Sequence, residues 1–406
     1  MKNIPVIIEF FTKMASAIFT LVLGKLLFDQ TNSLWAFATA YGGEFLIVTL
    51  IQLYAGSIAD RYSPAKILIA INTLSLTAFG FLAATYEMSA TLSLLLAAGM
   101  VYVSRPFYRT ALFVLVRDVA SESEFKLVNG RIASASQLGQ IIGLSLTGLF
   151  LSWYSHAAVF YLMDLIYGIC LLLSLFLYVR ISGQGKPVQR EVSDPLHWRD
   201  FFHFAGRDRA FAVRLVSSFS IAVSLGGFYV LLAPLVAAKF GDDTTWLSWL
   251  SVSYATGAIV SGILMKQLSQ RFKEQSSDRR LLLNQMLSAF AFFCYGYFDQ
   301  LVWLPLLLFC FGVSTTLAAV SLSSFLQVRT LSGVAGRTAA IQNIVIAAGN
   351  TFVAFYCSWL FERSFSTAAM GLAALLFILM LGFGVMFRAW PESLEPADKT
   401  LVAAKS

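Results

Sequence analysis

The sequence predicts an all-α integral membrane protein, with twelve transmembrane helices in two pseudo-symmetric six-helix bundles. Three observations carry this. Of 406 residues, 58% are hydrophobic and only 13% charged, with a mean hydropathy of +0.73; a soluble domain carries roughly 25% charged residues. The deficit runs along the whole length, so the membrane is the solvent. Cut at charges and turn residues, the chain gives twelve apolar segments, each long enough for a bilayer core of ~30 Å. The basic residues then sort into alternate loops.

The first segment, residues 5–28, carries Glu9, Lys13 and Lys25 and ends without a small-residue cleavage site. It therefore reads as a retained helix rather than a removed leader. Segments 34–58, 66–86, 90–116, 127–152 and 158–180 complete the first bundle, expected over 1–180. A polar linker, 181–207, follows. It holds Leu196, Trp198, Phe201, Phe202 and Phe204 among charges, a pattern that fits either an interfacial amphipathic helix or a plain linker. Segments 208–237, 245–266, 280–298, 301–327, 336–361 and 365–388 form the second bundle, 208–390, before a short polar tail, 391–406.

Lys and Arg fix the orientation. With the N-terminus inside, the inside segments hold Lys2; Arg61 and Lys66; Arg117, Lys126 and Arg131; six bases from Arg180 to Arg209; five from Lys266 to Arg280; Arg329 and Arg337; and Arg388, Lys399 and Lys405. The outside loops hold Lys239 and Arg363. A 22-to-2 split follows the positive-inside rule and places both termini in the cytoplasm. The net charge of +7 is thus a topology signal, and no nucleic-acid partner is expected. The lipid bilayer and a small-molecule substrate are the expected partners, with the chain a monomer.

Other chemistries find no footing. Cys170, Cys294, Cys310 and Cys357 lie in apolar runs without a CxxC pair, and His156, His197 and His203 form no ligand set. No metal site is expected. "GQGKP" at 183–187 lacks P-loop spacing, and no nucleophile triad is evident, so an enzyme is not expected.

The halves echo each other. Val116-Arg117 and Gly130-Arg131 flank a polar loop in the first; Val328-Arg329 and Gly336-Arg337 do so in the second. Gly56 with Asp60 four residues on is echoed by Gly262 with Lys266. Two similar halves around a midplane site suit alternating access.

Between the second and third segments the chain reads "GSIADRYSPAK", with Gly56, Asp60, Arg61 and Lys66 in a G-x-x-x-D-R-x-x-x-x-K pattern. This resembles the loop signature of the major facilitator superfamily. "VNGRIASASQLGQIIGLSLTGLF" and "VFYLMDLIYGICLLLSLFL" resemble the fifth and sixth helices of its drug and siderophore exporters. "AVSLSSFLQVRTLSGVAGRTAAIQN" resembles the tenth-to-eleventh junction of the enterobactin-exporter and macrolide-efflux group. Two departures stand out: Ser63, Pro64 and Ala65 replace the usual glycine and bases, and "RPFYRTA" lacks the Gln-Gly of proton antiporters. The resemblance implies a cytoplasmic gate of Gly56, Asp60, Arg61, Lys66, Arg117, Arg131 and Arg337. Asp60 would pair there with Arg61, with Arg117 or with a helix N-terminus. It also implies a bacterial inner-membrane protein using the proton gradient and no cofactor.

Ionisable residues inside spans mark function or structural pairing. Glu9 and Lys13, four apart, form either an intrahelical pair or part of a substrate site. Glu44, near mid-span, is the candidate proton carrier, or else the partner of Lys25 or Arg105. Asp164 is the second proton-coupling candidate, or a packing group. Arg105 and Arg109 share one face at middle depth and need carboxylates, carbonyls or an anionic ligand. Five bases (Lys13, Lys25, Arg105, Arg109, Arg214) face three acids, which favours anionic or zwitterionic substrates. Tyr102, Tyr108, Phe228 and Tyr229 are the aromatic candidates for the cavity wall. The expected function is export of an amphipathic, anionic metabolite such as a carboxylate siderophore, by proton antiport. A macrolide or multidrug pump, a lysophospholipid flippase and a non-transporting sensor are the alternatives.

Overall fold

The computed structural model describes residues 2–31, 34–153, 156–182, 198–241, 244–265, 267, 277–298 and 303–391. These residues are helical almost throughout. The helices are α1 (Ile4–Thr31), α2 (Leu34–Arg61), α3 (Pro64–Thr85), α4 (Ala90–Val119), α5 (Phe125–Trp153), α6 (His156–Ser182) and α7 (Arg199–Arg207). Then come α8 (Arg209–Phe240), α9 (Thr244–Ile263), α10 (Ser277–Tyr297), α11 (Leu304–Arg329), α12 (Ala335–Phe361) and α13 (Phe365–Ala389). Among the described residues, eight are long and apolar enough to cross a membrane: α1, α3, α4, α6, α8, α11, α12 and α13. Helix is the expected spanning form, since lipid offers no partner for a bare N–H or C=O.

Local sequence explains the helix ends. Pro64 opens α3, where its missing N–H is not needed. Asp208 caps α8 by accepting from the Phe211 N–H at 3.0 Å, and Gly241 closes it at φ 64°. Ser364 caps α13 through the Thr367 N–H at 3.0 Å. Within the helices, hydroxyls such as Ser174, Ser251 and Thr256 donate to the carbonyl four residues back, so they need no water.

The chain forms two compact units. Unit 1 comprises Met1–Glu122, Ala135–Trp198 and Ser332–Ile341; unit 2 comprises Ser123–Ser134, Arg199–Leu331 and Gln342–Ser406. In unit 1, α3 packs on α6 and α2 on α4. Its core joins Phe19 and Leu23 of α1 to Phe79, Leu94, Val101, Phe160 and Met163. Helix α5 lies against α1, where Gly139 and Gly143 ride on the Phe10 and Met14 carbonyls. Asn72 of α3 donates to Ser174 of α6 at 3.0 Å.

Unit 2 repeats the pairing pattern, with α10 on α13 and α9 on α11. Its core gathers Val223, Phe228, Leu235, Tyr254, Phe292, Tyr295 and Phe311. The loop echo is structural too: a 3₁₀ turn precedes α5 at Glu122–Glu124 and α12 at Ser332–Val334. The linker region forms the short amphipathic α7. Phe201 and Phe204 are buried, Phe204 packs on Phe211 at 4.8 Å between ring centroids, and Phe202 is exposed. Leu196 lies outside the described residues.

Candidate functional site

Residues 9, 12, 13 and 16 follow helical spacing, so Glu9, Thr12, Lys13 and Ser16 share one face of α1. That face meets α4. The Tyr108 hydroxyl donates to Glu9 Oε2 at 2.5 Å, and both groups are buried. Arg105 Nη2 donates to Ser16 Oγ at 3.1 Å, and its guanidinium lies 5.3 Å from the Tyr102 ring centroid. Thr12 Oγ1 stands 3.8 Å from Cys170 Sγ of α6. Unit 1 therefore holds a polar strip inside an apolar bundle, with a buried carboxylate and a half-buried guanidinium about two helical turns apart along α1.

Tyr108 is thus a partner of Glu9 from across the helix interface. Lys13 is half-buried on the same α1 face, whereas Lys25 and Arg109 are exposed. Tyr108 is an internal support of the strip, and Tyr102 is buried beneath the guanidinium. Glu44 sits on α2, but its side chain lies outside the described residues. On α6, Asp164 is half-buried opposite Gly80 of α3. Among the described residues it has no hydrogen-bond partner, and its Oδ1 is fully buried.

In unit 2, Arg214 is fully buried. Its Nη2 meets Asp278 Oδ2 at 2.6 Å, and its Nη1 donates to the Ala210 and Trp390 carbonyls at 2.8 and 3.1 Å. Phe325 and Phe387 flank it at 5.1 and 5.3 Å. Both terminal nitrogens are thus engaged, by α8, α10 and the residue that follows α13, while Nε is buried without a hydrogen-bond partner among the described residues. Phe228 is 1% exposed and packs on Tyr254 at 4.8 Å, so it is a core residue in this conformation. Its neighbour Tyr229 is 49% exposed.

Of the expected gate residues, Gly56, Asp60 and Arg337 come together in unit 1, and a second close helix contact lies in unit 2. In unit 1, Asp60 accepts from the Gly336 N–H and, at 3.2 Å, from the Arg337 N–H, with Arg337 Nε at 3.7 Å. The carboxylate thus sits on the N-terminus of α12, where free N–H groups and the helix dipole favour an anion. Both side chains are buried. A Cβ at Gly56 would fall 2.6 Å from Ala340 Cβ and 3.0 Å from Gly336 O, so α2 and α12 meet backbone to backbone. In unit 2, a Cβ at Gly130 would fall 2.9 Å from Gly262 O, and Ser134 Oγ donates to Ile259 O at 2.9 Å. Beside this second patch, Asn129 donates to Gln327 Oε1 at 2.6 Å. Arg61 lies over the Tyr62 ring at 5.6 Å and is exposed, as are Lys66 and Arg131; Arg117 is half-buried. Lys266 lies outside the described residues.

Thr12, Ser16 and Asp278 are additions to the residues singled out from sequence. The first two were readable as a polar stripe on α1. Asp278 lay just beyond an apolar segment and gave no signal of its partner.

A profile of the Major Facilitator Superfamily matches residues 6–354. An uncharacterized MFS-type transporter of Bacillus subtilis, YfmI, is 22% identical over 289 residues, 68% of each chain. Among solved structures, a variant of the Escherichia coli fucose:proton symporter FucP superimposes with a TM-score of 0.73 at 14% identity, covering 97% of this chain and 100% of its own. The human organic anion transporter MFSD10 gives 0.75 at 13% identity, covering 94% and 98%. A bacterial homologue of the iron transporter ferroportin, in an outward-facing state, gives 0.76 at 12% identity, covering 95% and 99%.

Proposed function

The chain belongs to the major facilitator superfamily, and from that premise we propose that it exports a small amphipathic anion, of carboxylate-siderophore type, by alternating access coupled to proton antiport. It is a multi-pass membrane transporter of that superfamily and not an enzyme. The observation that carries the anion assignment is Arg105. A guanidinium held in the polar strip by Ser16 and Tyr102, with Lys13 on the facing helix, gathers positive charge that suits a carboxylate. One similar structure is of an organic anion transporter and another of a fucose:proton symporter, so anion transport and proton coupling both occur on this fold.

The substrate binds Arg105, Lys13 and the Tyr102 region of unit 1. Asp164, without a partner among the described residues, and Glu44 carry the proton. No cofactor takes part. The Asp60 and Gly262 patches are the cytoplasmic gate, and twelve spans in two bundles place both termini in the cytoplasm of a bacterial inner membrane. The 22-to-2 sorting of bases supports that orientation. The exporter group is supported by the sequence around Gly336-Arg337, and the chain works as a monomer.

Uptake into energised inside-out vesicles tests the proposal, with a polycarboxylate siderophore, a macrolide, a cationic dye and a lysophospholipid as substrates. Siderophore uptake that collapses with an uncoupler, and in Arg105→Ala and Asp164→Asn, is the expected result. Uptake of the macrolide or dye alone, with Arg105→Ala still active, replaces it with a multidrug pump. Uptake of the lysophospholipid alone replaces it with a flippase.

A further inference from the structure

A groove of about 340 Å³ runs between α2, α3 and α4, lined in part by Ile58, Tyr62, Lys66, Ile71, Leu74 and Phe107. Ile58 and Tyr62 lie two residues beyond Gly56 and Asp60. At 100° per residue, they occupy the side of α2 opposite the contact with α12. The groove is therefore distinct from the gate patch and from the Arg105 strip.

We propose that this groove binds a resident anionic phospholipid of the adjacent leaflet. Three features support this occupant. Depth is the first. From Pro64, at the helix start, to Leu74 is ten residues, about 15 Å of helix. That is the depth of one leaflet, half of a ~30 Å core. Lining is the second. Below Lys66 the wall is aliphatic and aromatic, and the Ser104 hydroxyl is turned to the Val101 carbonyl at 2.7 Å. Such a wall suits an acyl chain.

Charge is the third. Arg61, Tyr62 and Lys66 are exposed together at the mouth. Arg61 rests on the Tyr62 ring, and Lys66 lies 5.7 Å from the Tyr178 ring centroid. Among the described residues neither cation pairs with a carboxylate, and none of the residues lining the groove is acidic. Two cations above an apolar slot complement a phosphodiester on a lipid tail. The ammonium of a zwitterionic headgroup meets no carboxylate among the lining residues.

Native mass spectrometry of the full chain, delipidated in detergent, tests this with phosphatidylglycerol, phosphatidylcholine and glycerol 3-phosphate. Two cations predict that phosphatidylglycerol adducts form at about tenfold lower concentration than phosphatidylcholine adducts. Glycerol 3-phosphate, lacking the chain, should give no adduct. The double substitution Arg61→Gln with Lys66→Gln should erase the headgroup preference. Ala70→Trp, at an exposed lining position, should weaken both lipids while circular dichroism stays that of the parent. Equal binding of the two lipids by the parent protein overturns the proposal. So does a preference that survives the double substitution. Binding of glycerol 3-phosphate as tight as that of the lipid overturns it as well, in favour of a soluble-anion site.

Discussion

Replacing Asp60 by Asn keeps the volume of the side chain and removes its charge. Asp60 accepts from two N–H groups on the first turn of α12 and lies 3.7 Å from Arg337 Nε. Asn offers one carbonyl and turns an NH₂ toward the second N–H, donor to donor. A hydrogen bond to a charged group is worth about 1.5–3 kcal/mol, and a carboxylate at a helix N-terminus adds about 0.3–1 kcal/mol. The loss is therefore about 2–4 kcal/mol, roughly a thirty-fold to several-hundred-fold shift at 1.4 kcal/mol per decade. A latched state held at 99:1 would fall to near parity. Ala335, the first residue of α12 and 2% exposed, can report on this as a cysteine. With the four native cysteines replaced by alanine, Ala335→Cys should react slowly with a membrane-permeant maleimide in proteoliposomes. The same reporter with Asp60→Asn should react at least tenfold faster. Rates within twofold of each other would refute the latch, because the carboxylate would then contribute nothing to holding α12 against α2.

Three further outcomes follow from the geometry. Arg214→Ala leaves Asp278 and two carbonyls without their buried donor and should destabilise unit 2 by about 3–5 kcal/mol, read by thermal unfolding in detergent. Asp208→Ala removes both the α8 cap and the partner of Arg329, 2.6 Å away; the cap alone predicts a loss of about 0.5–2 kcal/mol, measured the same way. Tyr108→Phe keeps the ring but removes the phenol that donates to Glu9, so stability should fall by about 1.5–3 kcal/mol and vesicle uptake should slow.

Helix positions were legible because the bilayer sets run length. Each of the twelve segments cut from the sequence falls on a helix, with ends within three residues. The shift is systematic where polar caps extend a helix beyond its apolar part, as with Ser277-Asp278-Arg279 at the start of α10. The echo of Gly130-Arg131 in Gly336-Arg337 was legible too, and each pair lies in the first two turns of a helix preceded by a 3₁₀ turn. Partners across helices were not. Asp60 and Gly336 are 276 residues apart, and nothing local ties them. The partner of Glu9 depended on the rotation of α4 about its own axis, which hydropathy does not encode when a helix is apolar nearly all round. The depth of Phe228 in the core was hidden for the same reason. Asp278 falls outside the apolar segment 280–298, so nothing local pointed to it as the partner of Arg214.

The glycine contacts in the two patches have a genetic consequence. Gly56 meets α12, and Gly130 meets Gly262, with no room for a Cβ. Glycine is the smallest residue, so every missense change at these codons adds atoms and none removes them. Mutation at an aliphatic core position can drift between Leu, Ile and Met at little cost. At these positions it can only wedge two backbones apart. Damaging alleles should therefore concentrate at these glycines, in a chain whose apolar helix faces absorb most exchanges.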